Sequence, residues 1–426
     1  MTFSLLAVGD LHLGARPSRL PDSLADRSAD LGTAGAWRRI VDQALGQKVD
    51  ALVLAGDVVE DEDDFFEAYR ELRTGVDRLL EAGVRILAVV GNHDVRVLPR
   101  LADQLPGFEL LGRGGNWQSV TLEAQGVRLS LHGWSFPTAQ VRHSPLADVR
   151  LEPGPGINLG VLHGDRDQRG SVYAPVTSAE LAAAGLDGWL LGHIHKPDPL
   201  SVDRPSGYLG SATGLDPGES GPRGPWLFEL DTAGIQQVTQ WTLAPLHWTR
   251  LPVDLTGIET AEDARERVHH AVQQLDADLS AHRVLPEAAA LRLELTGRSD
   301  LGSQVVDLLR RESLEDLHGG SGRIRYFVET LRDRLQPSID LQVLARRSDP
   351  VGLLAARLVL LEREPEDPER QELIGKARRQ LREQASRPHW QALGGEPPSG
   401  EQVADWLRRS GMAALERLLA QGRAAS

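Results

Sequence analysis

Between residues 3 and 195, six short apolar runs each lead into a glycine beside a polar, chemistry-bearing side chain. No other feature of the chain constrains its fold as much. The runs, read as strands, are Phe3–Val8, Ala51–Leu54, Arg85–Val90, Leu129–Leu131, Leu159–Leu162 and Trp189–Leu191. They lead into Gly9-Asp10-Leu11-His12, Gly56-Asp57, Gly91-Asn92-His93-Asp94, His132-Gly133, His163-Gly164 and Gly192-His193-Ile194-His195. Helical stretches lie between them, at Ala34–Gln47 and Glu62–Glu81; the second carries Phe65, Phe66, Tyr69, Leu72, Val76, Leu79 and Leu80 at three- and four-residue spacing. Strands alternating with helices predict an α/β sandwich. In open α/β sheets ligands bind outside the carboxyl ends of the strands, so the six clusters are expected on one rim. A glycine at each end lets the backbone turn sharply and approach a ligand closely.

The spacing within the clusters says what that rim can hold. Residues i and i+2 of an extended segment point to the same side, so Asp10 with His12, and His193 with His195, can each present two groups to one locus. Asn92 and His93 are adjacent and should diverge, one toward a metal and the other toward substrate. The chain has no cysteine, which removes disulfides, thiolate zinc sites, iron–sulfur clusters and cysteine nucleophiles. Oxygen and imidazole donors without thiolate suit Mn²⁺, Fe²⁺ or Zn²⁺ over a soft metal. Asp10, His12, Asp57, Asn92, His163, His193 and His195 are too many for one site with open positions. They suit two sites sharing a carboxylate, the arrangement in which ions roughly 3.5–4 Å apart promote in-line displacement at phosphorus.

The ordered set GDxH, GD, GNHD, HG and GHxH, over residues 3 to about 211, resembles the calcineurin-like metallophosphoesterase superfamily. Within it the chain is most similar to the SbcD-type DNA repair exonucleases, on Gly9-Asp10-Leu11-His12-Leu13-Gly14, Gly192-His193-Ile194-His195-Lys196-Pro197, Tyr208-Leu209-Gly210-Ser211 and Gly214-Leu215-Asp216-Pro217-Gly218-Glu219. The resemblance implies a four-layer α/β/β/α sandwich, with a first metal on Asp10, His12, Asp57 and His195. It implies a second on Asp57, Asn92, His163 and His193, with Asp57 bridging. Two divalent cations are implied, Mn²⁺ first, with Fe²⁺, Zn²⁺ and Mg²⁺ as alternatives. A metal-bridging hydroxide would attack phosphorus in line. His93 would stabilise the developing charge or protonate the leaving oxygen, and Asp94 would orient His93. Tyr208 and Ser211 are candidates for lining the substrate site. The activity implied is 3′-to-5′ exonuclease action from DNA ends with endonuclease action on single strands. The partners implied are a homodimer formed through helices near Phe65–Leu80 and Leu98–Leu105, and an SbcC-like coiled-coil ATPase. Family members often carry Leu-Phe and a polar residue, sometimes His, just after the bridging Asp; here Val58-Val59-Glu60 runs into Asp61-Glu62-Asp63-Asp64. That run reads as a solvated helix start. His132 reads as a packed histidine, Asp165 and Asp167 as loop residues, and His143, His247, His269, His270, His282, His318 and His389 as surface or packing residues.

The 426 residues suit two or three domains. We expect a phosphoesterase domain at 1–245, a small α+β capping domain at 246–347 and a helical C-terminal region at 348–426, broken by Glu396-Pro397-Pro398. The cap is read as a helix from Ala261, a strand around Ala290–Leu295, a helix from Gln304 and a segment with Ile339–Val343. The C-terminal stripe Leu353, Leu354, Leu358 and Leu361 fits groove-and-helix recognition of a partner, and Arg378, Arg379 and Arg382 are minor candidates for phosphate contacts. A net charge of −14 argues mildly against a nucleic-acid footprint; the stretch from Arg346 on is nearly balanced. The opening Met1 to Val8 reads as a first strand, not a signal peptide. No apolar run nears the ~20 residues that span a bilayer, and a cytoplasmic protein without membrane association is the expectation. The alternatives are a small-molecule phosphatase or cyclic-nucleotide phosphodiesterase of the same superfamily, and a non-catalytic scaffold for an ATPase partner.

Overall fold

The computed structural model describes residues 2–63, 65–311, 317–318, 320–336, 338–385 and 398–424. Asp64, His389 and the Glu396-Pro397 break lie outside the described residues. The described chain forms two compact units, Met1–Gly297 with Leu301–Leu335, and Arg298–Asp300 with Gln336–Ser426.

The first unit is built on strands too apolar to face water on either side. β1 (Phe3–Val8), β2 (Ala51–Ala55), β3 (Arg85–Val89) and β4 (Phe108–Leu110) run parallel in one sheet. β5 (Trp117–Ala124), β6 (Val127–Trp134), β7 (Ile157–His163), β8 (Gly188–Gly192) and β9 (Ser206–Tyr208) form a second sheet of order β5-β6-β7-β8-β9. β10 (Trp226–Asp231) and β11 (Gly234–Gln240) then return to the first, giving β11-β10-β1-β2-β3-β4. Leu5, Ala7, Val53 and Leu87 meet Leu129, Leu131, Leu159 and Val161 between the sheets. The outer face of the first sheet is covered by Trp37, Ile40, Leu72 and Val76 from the helices Thr33–Gln47 and Phe65–Glu81. The short helix Ser178–Ala183 lies on the second, where Trp189 Nε1 donates to the Leu181 carbonyl. The expected α/β/β/α sandwich is the architecture observed. The hairpin partner β5 is an addition: most of its side chains are exposed or half-exposed, so no apolar run marks it.

The two helices on the first sheet meet at a glycine. A Cβ at Gly75 would lie 2.4 Å from Trp37 Nε1, which donates to the Glu71 carbonyl at 3.0 Å. Gly75→Ala should therefore destabilise by about 1–3 kcal/mol through overpacking, less up to about 1 kcal/mol of helix propensity. At Gly46, on the neighbouring helix, a Cβ meets nothing within 4 Å, so Gly46→Ala should stabilise by about 0.5–1 kcal/mol. Urea denaturation of the two variants should give opposite signs; a stabilising Gly75→Ala would contradict this packing.

The same unit continues into a second α+β layer. β12 (Leu246–Asp254), β13 (Ala288–Thr296) and β15 (Arg325–Asp333) run parallel, with β14 (Leu317–His318) antiparallel at the edge. Helix Ala261–Ser280 starts at a capping box between Thr260 and Asp263. It packs Val268 onto Leu293, Leu295 and Val305, the last from helix Gly302–Arg311. β12 and β15 were not foreseen, and the segment Ile339–Val343 runs into the short helix Leu341–Leu344. Glu287 accepts from Arg27 and Arg39, and the buried Glu329 accepts from Arg19 and Arg292, so ion pairs tie this layer to the segment following His12.

The second unit packs helices Pro350–Leu361, Pro368–Ala385 and Gly400–Ala424 around Leu358, Leu361, Ile374, Val403 and Leu415. Arg370 is buried, donating to both oxygens of Glu401 at 3.0 and 2.9 Å. The predicted docking stripe is thereby divided: Leu358 and Leu361 belong to the unit's own core, and Leu353 is exposed. Among the described residues no helix is long and apolar enough to cross a membrane.

Candidate metal centre

The loops leaving β1 and β2 are stitched together before any side chain is placed. Leu11 and His12 N–H both donate to the Asp57 carbonyl, at 3.0 and 2.9 Å, and Leu13 N–H donates to Val58 at 2.8 Å. Three residues here hold left-handed backbone, His12 at φ 50°, Asp57 at 45° and His193 at 100°. Such strain persists only where the surroundings over-determine it, and it clusters at functional sites. Glycine is required beside them: a Cβ at Gly91 would lie 2.1 Å from Asp57 Oδ1, and Gly56, at φ 88°, would put one 2.6 Å from His163 Nδ1.

The turns bring together all seven predicted ligand residues. Asp10, His12 and His195 form one cluster of donor atoms, all within 4.8 Å of one another, and Asp57, His163 and His193 form another. His12 Nε2 and His195 Nε2 face each other at 3.1 Å. In the second cluster Asn92 Oδ1 lies 3.0 Å from both His163 Nε2 and His193 Nδ1. Asp57 Oδ2 stands between the clusters, 3.1 Å from His163 Nε2 and 3.9 Å from His12 Nε2.

Each histidine is held by its other ring nitrogen. His163 Nδ1 donates to the Ala55 carbonyl at 3.0 Å. His12 Nδ1 lies 2.5 Å from Glu60 Oε2, His195 Nδ1 lies 2.5 Å from Glu219 Oε1, and His193 Nε2 lies 3.4 Å from Asp165 Oδ1. A carbonyl or carboxylate at one nitrogen fixes the proton there and turns the other lone pair inward, the arrangement around metal-binding imidazoles generally. Asp10 Oδ2 is buried with no hydrogen-bond partner among the described residues. An unpartnered carboxylate oxygen beside two opposed imidazole lone pairs fits a divalent cation held by these residues.

The charges agree with that fit. Burial opposes the charge on Asp57, but His163, then His12 and the His93 amide, hold its carboxyl well below the usual range. Burial likewise opposes protonation of His163, yet Asp57 and Asp10 carry it up to about 9. Burial, then the Asp57 charge, push Asp94 up to about 7. Converging carboxylates thus draw positive charge onto imidazole, and cations supply the same charge with better geometry.

His93 diverges from Asn92 as expected. It is exposed, its ring centroid 5.1 Å from that of His12. Its N–H donates to Asp57 Oδ1 at 2.9 Å and its Nδ1 to the Glu60 carbonyl at 3.2 Å. The expected orientation of His93 by Asp94 is corrected: both Asp94 oxygens are taken by backbone, accepting from Val58 N–H at 2.7 Å and Gly91 N–H at 2.8 Å. Asp94 ties two ligand-bearing turns together, and Glu60 and Asp57 hold His93. Tyr208 and Ser211 are buried and spent on the scaffold. The Tyr208 hydroxyl donates to Gly164 and accepts from Arg166 N–H, and Ser211 Oγ accepts from Arg223 at 3.4 Å. His132 is buried between Ser119 and Asn158, and Asp167 binds Ser178.

Three carboxylates at the centre were missed. Asp165 read as a loop residue, Glu60 as part of an acidic run and Glu219 only as part of a family signature. Glu60 is separated from the rest of that run, where Asp61 accepts from Asp63 N–H and Glu62 pairs with Arg96 and Arg100. Its position three residues after Asp57 was the one available signal.

The chain is similar to known proteins over two segments. Residues 3–197 match the calcineurin-like phosphoesterase family, and residues 248–336 match the middle domain of metallophosphoesterase YhaO. An uncharacterized metallophosphoesterase YhaO of Bacillus subtilis is 27% identical over 265 residues, 59% of this chain and 63% of that protein. A DNA double-strand break repair protein Mre11 of Methanopyrus kandleri is 25% identical over 61% of each chain. One of Haloferax volcanii is 28% identical over 62% of this chain and 57% of its own. The chain thus spans 57–63% of the length of these relatives.

Proposed function

We propose that this chain is a two-metal phosphodiesterase of the calcineurin-like metallophosphoesterase superfamily, which residues 3–197 match, and that it cleaves DNA. The observation that carries the reading is Asp57, one carboxylate set between two clusters of donors. Asp10, His12 and His195 would hold one cation, Asn92, His163 and His193 the other, with Asp57 shared. Divalent cations held there supply Lewis acidity toward a phosphate ester and a nucleophile near neutral pH. The protein's own part is positioning and proton transfer. Outer carboxylates and the Ala55 carbonyl keep each imidazole lone pair turned inward. Asp94 locks the Asp57 and Gly91 turns together. His93 Nδ1–H is given to the Glu60 carbonyl, so as the imidazolium His93 would carry a second proton on Nε2 and could pass it to a leaving oxygen as a catalytic residue, ending as the neutral ring. DNA as substrate is supported by likeness to the Mre11 proteins. On this reading the helical unit is a docking segment for an SbcC-like ATPase, with Leu353 and Trp406 exposed on it, and the chain works as a homodimer whose interface includes the exposed Phe66.

A small-molecule phosphodiester is the second reading, favoured by the acidic sequence Glu60 to Asp63 that follows Asp57 and by the net charge of −14. The purified chain with Mn²⁺, given end-labelled duplex, single-stranded DNA and bis(4-nitrophenyl) phosphate, separates the two. We expect cleavage of DNA that chelation abolishes. Hydrolysis of the small ester alone would favour the second reading, and no hydrolysis of any ester a non-catalytic role.

A further inference from the structure

We infer that Glu219 is a positioning residue for His195, and that the capping sheet holds it in place through Trp248. The inference deepens the metal-centre reading and rests on it. Glu219 belongs to the loop between β9 and β10, and its carboxylate is fully engaged. Oε1 lies 2.5 Å from His195 Nδ1, and Oε2 accepts from Leu215 N–H at 3.0 Å. The backbone of the pair is fastened as well: Arg223 donates both to the Glu219 carbonyl, at 3.3 Å, and to the His195 carbonyl. Glu219 is therefore fixed relative to His195 at side chain and main chain alike.

The other side of this loop is anchored on the cap. Trp248, fully buried in β12, donates from Nε1 to the Gly214 carbonyl at 2.9 Å, and its own carbonyl accepts from Gly221 N–H at 3.0 Å. These two bonds bracket Glu219. Gly214 packs so closely on the indole that a Cβ there would lie 2.8 Å from Trp248 Cδ1 and 2.9 Å from the Glu219 carbonyl oxygen. Ser18 N–H, from the segment following His12, donates to Leu215 at 2.8 Å. A shift of β12 thus moves the loop that carries Glu219, and through it the proton and the orientation of His195. Outer partners of this kind commonly change metal affinity 10–100-fold when removed. The cap thereby sets how tightly one of the two positions holds its cation.

The test is calorimetric titration of the full chain with Mn²⁺, alongside thermal melts of the metal-free protein. Wild type should take up two equivalents. Glu219→Ala should weaken one of them 10–100-fold while the other is unchanged. Glu219→Gln, which keeps an acceptor for Nδ1–H, should recover part of that loss, a rescue a purely structural role would not produce. Trp248→Phe, which deletes the indole N–H and keeps a ring, should weaken the same equivalent in the same direction and by less. Should Trp248→Phe not fold, Gly214→Ala perturbs the seam from the loop side. Two Mn²⁺ equivalents at wild-type affinity in Glu219→Ala, or in the folded cap-side variant, overturn the inference and leave the two-metal reading intact. Wild type that binds no Mn²⁺ overturns both.

Discussion

Asp57→Asn is expected to cost the chain Mn²⁺ at both positions and to lower phosphodiester turnover by about 10³-fold or more, since a metal Lewis acid is worth several kcal/mol and each 1.36 kcal/mol is tenfold. The argument is geometric. Asp57 Oδ2 lies 3.1 Å from His163 Nε2 and 3.9 Å from His12 Nε2, within reach of both clusters. Removing its charge therefore takes a ligand from each cation together, where loss of His12 or His193 would weaken one. Asparagine is the informative replacement. At φ 45° Asp57 occupies a conformation that Asn tolerates and β-carbon-bearing residues in general do not. The Asn carbonyl can still accept from His93 N–H, now 2.9 Å from Oδ1. The crowding against Gly91 is unchanged, because the side chain keeps its shape. A folded Asp57→Asn that binds two Mn²⁺ as tightly as wild type would remove Asp57 as a shared ligand, and with it the observation on which the proposed function rests.

The centre was legible in the sequence to the extent that it is built from strand ends. A strand buried on both faces reads as a short apolar run, and where such a run stops at Gly-Asp, Gly-Asn-His or Gly-His the side chain beyond it has one rim to go to. Asp10, His12, Asp57, Asn92, His163, His193 and His195 were read that way, and the turns bring the seven together. Residues that reach the centre from loops were not. Glu60 meets His12 across 48 positions and Glu219 meets His195 across 24, and neither has a periodicity that announces it. Asp94 went wrong for an instructive reason. Adjacent residues in a turn diverge, which separated Asn92 from His93 correctly. The same rule sends Asp94 away from His93, into the backbone amides of Val58 and Gly91. β5 escaped because an edge strand with most side chains exposed or half-exposed carries little apolar signal. β12 escaped because Arg250 and Pro252 stand between its buried start, Leu246 to Trp248, and Val253, and β15 because its buried residues are the short pair Tyr326 and Phe327, flanked by polar and charged side chains.

His93→Ala separates holding cations from doing chemistry, and should leave Mn²⁺ binding intact while lowering turnover by about 10²–10⁴-fold, the usual worth of a general acid. A His93 ring nitrogen lies within 4.8 Å of donor atoms on His12 and Glu60, but Nδ1 is given to the Glu60 carbonyl and His93 belongs to neither of the two clusters that Asp57 would join. The bond to Asp57 Oδ1 comes from the His93 backbone N–H, which alanine keeps. Metal uptake thus has no reason to change. The size of the loss should depend on the ester. When a DNA phosphodiester is cut, the departing sugar oxygen is strongly basic and needs a proton, so the full loss is expected. Nitrophenolate leaves without one, so His93→Ala should be far less damaging on bis(4-nitrophenyl) phosphate. If His93 instead only stabilises charge on the non-bridging oxygens, both esters should suffer equally, because those oxygens are common to both. A selective loss on DNA with unchanged Mn²⁺ stoichiometry assigns proton donation to His93 Nε2; equal losses assign charge stabilisation. Wild-type turnover on both substrates would remove His93 from the reaction.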